Sequence, residues 1–322
     1  MSPSQLDPSL VKLSLAPMEG VMDWAFRDLI TELGGVDQVT TEFIRVTKNL
    51  HPNKVFHRYA PELFTGSHTR SGVPLFVQLL GGEPEPMAAN AARAAELGAV
   101  GIDLNFGCPA KTVNRHDGGA SLLRFPHRLE AIVRTVRQAV PASIPVTAKM
   151  RLGFEDTKLC LENAKALEAG GASRLTVHCR TKLQGYKPPA HWEWLAQLRE
   201  TIDIPIVGNG DIVDRESLQK CWEISRGEHF MIGRAALRNP QVFLQIRQAQ
   251  PRQAEWSFQR KFVLGFYQAS RSYVNAHFAM ARTKQLLRNL TLDSEEAREI
   301  FDQTKALLKP LEFESRLETL LQ

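Results

Sequence analysis

The chain has 322 residues, 43% of them hydrophobic and 23% charged, with a net charge of +5. A chain of this length and composition buries a substantial core, which excludes a disordered protein and fits one large domain with a smaller appendage. The four cysteines, Cys108, Cys160, Cys179 and Cys221, lie far apart with no C-x-x-C pair, which argues against a zinc site or a disulfide framework and for a reducing compartment.

The opening segment, Met1 to Asp7, has neither the basic nor the apolar region of a secretory signal, and no apolar run approaches membrane-spanning length. A soluble, cytoplasmic protein that binds no metal is expected. Apolar runs closed by turn signals predict strands over Val11–Ala16, Val36–Phe43, Pro74–Leu80, Val100–Leu104, Pro145–Met150, Arg174–His178, Ile204–Val207 and His229–Ile232. Helical patterns fall between most of them, at Met87–Leu97, Leu129–Ala139, Leu159–Ala169, Trp192–Glu200 and Glu216–Ile224, several followed by stop signals such as Gly98 and Gly170-Gly171. Strands alternating with helices imply parallel pairing through right-handed crossovers. Eight such units match an α/β fold of the (β/α)8 TIM-barrel type better than an open doubly wound sheet, because neither G-x-G-x-x-G nor G-x-x-x-x-G-K-[ST] occurs. After Gln250 the alternation stops, and amphipathic patterns at Phe262–Tyr273 and Arg282–Leu290 predict a small all-helical C-terminal domain. Between Pro251 and Leu290 seven Lys/Arg face one acid, whereas from Thr291 onward four bases meet eight acids. The basic character is therefore concentrated at the start of that domain.

In a barrel the chemistry gathers at the carboxyl ends of the strands. Those ends are polar here: Ala16-Pro17-Met18-Glu19-Gly20, Gln78, Asn105 and Cys108, Lys149-Met150-Arg151, His178-Cys179-Arg180, Asn209-Gly210-Asp211, and Gly233-Arg234. Cys108 stands between Gly107, which lets the backbone bend, and Pro109, which ends the strand. On that motif alone it reads equally as a placed thiol or as a small buried hydrophobe. Alternation puts Lys149 and Arg151 on one face and His178 and Arg180 on one face, and sends Cys179 into the helix layer as a structural residue. The glycine-bearing ends of strands seven and eight stand where barrels hold a phosphate with backbone N–H groups, so a phosphorylated ligand is expected.

Taken together, Leu15-Ala16-Pro17-Met18-Glu19-Gly20-Val21, Asp103-Leu104-Asn105-Phe106-Gly107-Cys108-Pro109, Gly118-Gly119-Ala120, Lys149-Met150-Arg151, His178-Cys179-Arg180-Thr181, Gly208-Asn209-Gly210-Asp211-Ile212 and Ile232-Gly233-Arg234 resemble the tRNA-dihydrouridine synthases. These are flavin enzymes that reduce uridines in transfer RNA. The segments Thr41–Val46, Lys54–Glu62 and Arg180–Tyr186 resemble the bacterial C type, which is associated with the D-loop uridine at tRNA position 16.

The resemblance implies an FMN-binding catalytic barrel over residues 1–245 and a helical tRNA-binding domain over 246–322, a monomer, and NADPH or NADH as reductant. It implies that Ala16, Pro17 and Met18 line the flavin, Gln78 and Lys149 bond its ring edge, His178 sits beside it, and Asn209, Gly210, Asp211, Gly233 and Arg234 hold its phosphate. Cys108 would be the acid that protonates uracil C5 while hydride from FMN N5 adds at C6, with Asn105 holding the base. A thiol with an ordinary pKa near 8.5 is protonated at neutral pH and suits that task. Flipping the target base out of its stack calls for a basic surface with aromatics. Arg45 and Lys111, Arg180, and Arg271, Arg282, Lys284 and Arg288 are the expected contributors, with Tyr273 and Phe278 among them. An alternative reading is an FMN-dependent barrel oxidoreductase acting on a free pyrimidine-like molecule, which would need no basic annex. A non-enzymatic RNA-binding barrel is a second alternative, against which Cys108, Lys149 and His178 argue.

Overall fold

The computed structural model describes residues 6–115, 117–252 and 255–321. Met1–Gln5, part of the stretch read for a targeting signal, lie outside the described residues. Among the described residues nine strands form one all-parallel sheet: β1 (Lys12–Leu15), β2 (Val39–Thr40), β3 (Ile44–Arg45), β4 (Leu75–Leu80), β5 (Ile102–Phe106), β6 (Val146–Arg151), β7 (Leu175–His178), β8 (Ile206–Asn209) and β9 (His229–Ile232). The sheet runs β1-β9-β8-β7-β6-β5-β4-β2, with β3 also on β4. It closes through a parallel bridge between Ser14 and Gln38, where Leu15 N donates to Gln38 O at 3.0 Å and Asp37 N to Leu13 O at 2.8 Å. This is the expected eight-staved barrel.

The second stave differs from the continuous strand expected over Val36–Phe43. It is two short strands, β2 and β3, both laddered on β4. Between them the Thr41 N–H still donates to Phe76 O at 3.0 Å, and its hydroxyl oxygen accepts from the Gln78 N–H at 2.9 Å. The fourth stave is shifted two residues later than expected. Gly101 lies where a Cβ would come within 2.5 Å of the Phe76 ring, and pairing runs on through Asn105 and Phe106 to Lys149 and Met150. That shift leaves Cys108 two residues beyond the end of β5.

Alternation along these strands divides the barrel into an apolar outside and a polar inside. Leu13, Leu15, Val77, Leu79, Leu104, Phe106, Met150 and Val177 are buried on the helix-covered face. The intervening Ser14, Gln78, Asp103, Thr147, Lys149, Thr176 and His178 share the other face. A polar interior is stable only when its groups are paired, and these are: Gln78 Nε2 donates to Asp103 Oδ2 at 2.7 Å and Thr147 Oγ1 to Asp103 Oδ1 at 2.6 Å.

The C-terminal part consists of helices Trp256–Tyr273, Ala276–Leu290, Glu295–Thr304 and Pro310–Leu321. Asn275 and Ser294 cap two of them by accepting from Phe278 N and Ala297 N. The bundle rests on helix Trp24–Glu32 of the barrel, where Phe26 meets Phe262 and Phe266 edge to face at 5.7 and 6.3 Å. The expected boundary at 245/246 falls inside helix Val242–Arg247. Arg247 belongs to the barrel: it donates to Val11 O at 2.7 Å and pairs with Asp37.

Candidate active site

At the carboxyl ends of the strands lies a cleft of about 930 Å³, walled by barrel loops and, on one side, by Asn289 and Leu292 of the helical part. Ala16, Pro17, Met18, Asn105, Cys108, Lys149, His178, Asn209, Gly210, Asp211, Gly233 and Arg234 all line it.

The loop after β1 is drawn across the mouth of β9. Ala16 N donates to Ile232 O at 2.8 Å, and a Cβ on Gly233 would lie 3.3 Å from the Ala16 Cβ. Gly210 is held at φ +121°, and a Cβ there would meet Ala190 at 3.1 Å and the His178 ring at 3.3 Å. The positive φ favours glycine at Gly210, and the space at Gly233 is tight for any side chain. Asp211 turns its carboxylate to Arg180 and to the Ala190 N–H, at 2.8 Å in the latter case. What it can offer an anion is its backbone N–H, not its side chain. Arg234 stands at the same end, 3.6 Å from Asp211.

At the opposite end Cys108 is buried against Phe43, Leu80 and Val113. Its carbonyl accepts from Ala120 N and Asn114 Nδ2, each at 3.1 Å. Gly119, at φ +61°, passes so close beneath that a Cβ would lie 3.0 Å from the Cys108 Cβ. Burial raises the thiol pKa above its ordinary value, and Glu19 adds to this; the Ala110 N–H, Arg151 and Arg45 pull the other way without reversing it. The sulfur therefore keeps its proton at neutral pH.

Between the two ends stand Lys149 and His178. Burial, then Arg151, lowers the Lys149 ammonium to about 8. Among the described residues its hydrogen-bond acceptor is Asn209 Oδ1 at 3.4 Å. Burial also holds His178 well below its ordinary value, reinforced by Arg151, Lys149, Arg180 and Arg234. Its ring is neutral and hydrogen-bonded to Arg180 at 3.3 Å.

Several expected site residues stand elsewhere. Gln78 does not line the cleft; it lies one layer below, its amide between Asp103 and Asn105. Arg180, expected to face the RNA, is fully buried and bonded to Lys187 O, His178 and Asp211, which makes it a brace of the site. Arg282 is a buried docking residue: it donates to Asp23 Oδ2 at 2.6 Å and Val21 O at 2.8 Å, tying the helical part to the barrel. Lys284 gives its ammonium to Leu307 O and Lys305 O beyond helix Glu295–Thr304. Arg45 is half-buried and reaches Thr112 O at 3.4 Å, while Lys111, Arg271 and Arg288 are exposed. Arg151 and Tyr186 line the cleft although sequence reasoning gave them no role. Arg151 donates to Gly107 O, Thr181 O and Gly185 O, and Tyr186 stands between the guanidinium groups of Arg151 and Arg234 at 5.1 and 5.0 Å. The alternation that paired Arg151 with Lys149 was the available signal for the first.

A parallel barrel whose cleft has glycine loops at one end and a protonated thiol at the other has the architecture of a barrel enzyme. A solved structure of a variant of NCR from Zymomonas mobilis shares the fold, with a TM-score of 0.54 at 13% identity over 75% of this chain and 88% of that one. The family model for dihydrouridine synthase (Dus) matches residues 14–319, and the chain belongs to that family. Curated relatives named tRNA-dihydrouridine(16) synthase are 47% identical over 299 residues in Aquipseudomonas alcaligenes, covering 92% of this chain and 95% of the relative. In Shewanella oneidensis the figures are 45% over 292 residues, 90% and 92%. In Neisseria meningitidis serogroup A they are 42% over 301 residues, 92% and 90%.

Proposed function

We propose that this protein reduces uridine to 5,6-dihydrouridine in the D-loop of tRNA, at position 16, using a bound flavin mononucleotide that NADPH or NADH re-reduces. The observation that carries the reading is the buried, protonated Cys108 thiol in one cleft with Lys149 and His178. The residues fit the cofactor. Gly210, Asp211 and Gly233 N–H groups with Arg234 receive the phosphate, Ala16, Pro17 and Met18 form an apolar wall, and Lys149 is a desolvated cation suited to an electron-rich ring. Gln78, one layer below the cleft, acts on it only through Asn105, whose Nδ2 it accepts from at 2.9 Å.

When bound, the flavin supplies the hydride that adds to uracil C6. Cys108 Sγ–H gives its proton to C5 on the side facing β5, so charge does not accumulate on the base. Asn105 bonds the base edge. Arg180 fixes the His178 ring and the Asp211 loop, keeping their shape as substrate enters. The helical part offers Arg271 and Arg288 to the RNA backbone.

The test is to incubate purified, flavin-loaded protein with reductant and either a tRNA transcript or free uridine, and to map the product by mass. Dihydrouridine at position 16, with free uridine converted far more slowly, is expected. Equal turnover of free uridine would overturn the reading in favour of a small-molecule oxidoreductase.

A further inference from the structure

Asp103 does not touch the cleft, yet it begins a directed chain of hydrogen bonds that ends there. The Asp103 carboxyl is buried and accepts from Gln78 Nε2 at 2.7 Å and from Thr147 Oγ1 at 2.6 Å. Gln78, also fully buried, must then present its carbonyl oxygen upward, where it accepts from Asn105 Nδ2 at 2.9 Å. The other end of the Asn105 amide is fixed independently, because Asn105 Oδ1 accepts from the Gly107 backbone N–H at 2.9 Å. A backbone N–H can only donate, and a carboxylate can only accept. Both ends therefore impose the same sense on the two amides. Turning them over would set the Gln78 carbonyl against the Asp103 oxygen and the Asn105 NH2 against the Gly107 N–H, leaving buried groups unpaired.

The sense of an amide decides which pyrimidine it reads. An N–H beside a carbonyl oxygen complements the O4 and N3–H edge of uracil; the same amide turned over complements the N4–H and N3 edge of cytosine. We propose that Asp103 is a positioning residue that, through Gln78, locks the Asn105 carboxamide in the uracil-reading sense and so sets discrimination between uridine and cytidine at the target position. The inference rests on the function proposed above and adds to it the origin of base choice.

The experiment compares flavin-loaded wild type, Asp103→Leu and Asp103→Asn for binding to two tRNA transcripts that differ only by U or C at the target position. Wild type is expected to prefer the U transcript by about tenfold, the discrimination a good bidentate amide–base contact provides. In Asp103→Leu, where only the Gly107 N–H still holds the amide, that ratio should fall severalfold, while Asp103→Asn, whose side-chain oxygen still accepts from Gln78, should keep most of it. A general weakening of the fold would lower both affinities together and leave the ratio unmoved. An unchanged ratio in Asp103→Leu overturns the inference. Should Asp103→Leu not retain flavin, Gln78→Met, which cuts the chain one link nearer the base, is judged by the same ratio. Wild type that makes no dihydrouridine in the U transcript would instead sink the functional reading itself.

Discussion

At Cys108 the chain retains a proton where a nucleophilic cysteine would shed one. Burial among Phe43, Leu80 and Val113 raises the thiol pKa, so the acid form persists to alkaline pH. Reduction by wild type should be flat across neutral pH and fall only as pH passes the ordinary thiol range. Cys108→Ala should lose roughly 10²- to 10⁴-fold in single-turnover rate with flavin retained, the span expected for removal of a general acid; stopped-flow oxidation of the reduced enzyme on adding tRNA measures both. Lys149 has the opposite displacement. Its native value of about 8 lies below the unfolded one, so the buried ammonium costs stability below pH 8. That cost is relieved as pH rises, because the native state loses its proton before the unfolded chain does. Flavin-free Lys149→Met should therefore be more stable than flavin-free wild type at pH 7, by roughly 1 to 3 kcal/mol, with the gap narrowing by pH 10. Denaturant unfolding at the two pH values reports it, and a gap that widens with pH would contradict the assignment.

Among the elements, the strand ends do the positioning, and their turns are written in local chemistry. Gly210 shows how tightly. Ala at that position must adopt φ +121° and press on Ala190 and His178, so Gly210→Ala should cost about 1–3 kcal/mol and release flavin; equilibrium dialysis of the purified variant would detect it. The barrel and the Ala16, Cys108, Lys149, Asn209 and Gly233 ends were legible because periodicity and Gly/Pro punctuation are local. The split of the second stave was not, since β2 and β3 are two residues each and carry no period of their own. Nor was the role of Arg282 or Arg180. A cation's sequence position does not reveal the acid that answers it, and Asp23 is 259 residues from Arg282. Arg282→Ala leaves Asp23 without its ion-pair partner at the junction of barrel and bundle, which should lower stability by roughly 2–4 kcal/mol. Thermal unfolding of the intact protein checks this, and an unchanged midpoint would return Arg282 to the RNA-facing set.

Over the whole molecule, the same distinction separates the basic charges that hold the protein together from those left for a polyanion. The segment from Pro251 to Leu290 owes its excess of Lys/Arg in part to Arg282 and Lys284, which are engaged with the barrel and with the Lys305 and Leu307 carbonyls beyond helix Glu295–Thr304. Arg271 and Arg288 on the bundle and Lys111 beside the Cys108 turn remain exposed. Long-range attraction of RNA depends on such exposed charges, because each phosphate they neutralise releases a condensed counterion. Replacing Arg288 or Lys111 with Ala should therefore weaken tRNA binding and reduce the slope of log affinity against log salt by about one per residue removed, with the melting temperature unaltered. Arg282→Ala should do the converse, lowering the melting temperature while leaving the salt slope of the fraction still folded near that of wild type. Filter binding across a salt series, run beside thermal unfolding for each variant, separates the two classes. A salt slope unaffected by loss of Arg288 and Lys111 together would mean that the RNA approaches the cleft over some other face.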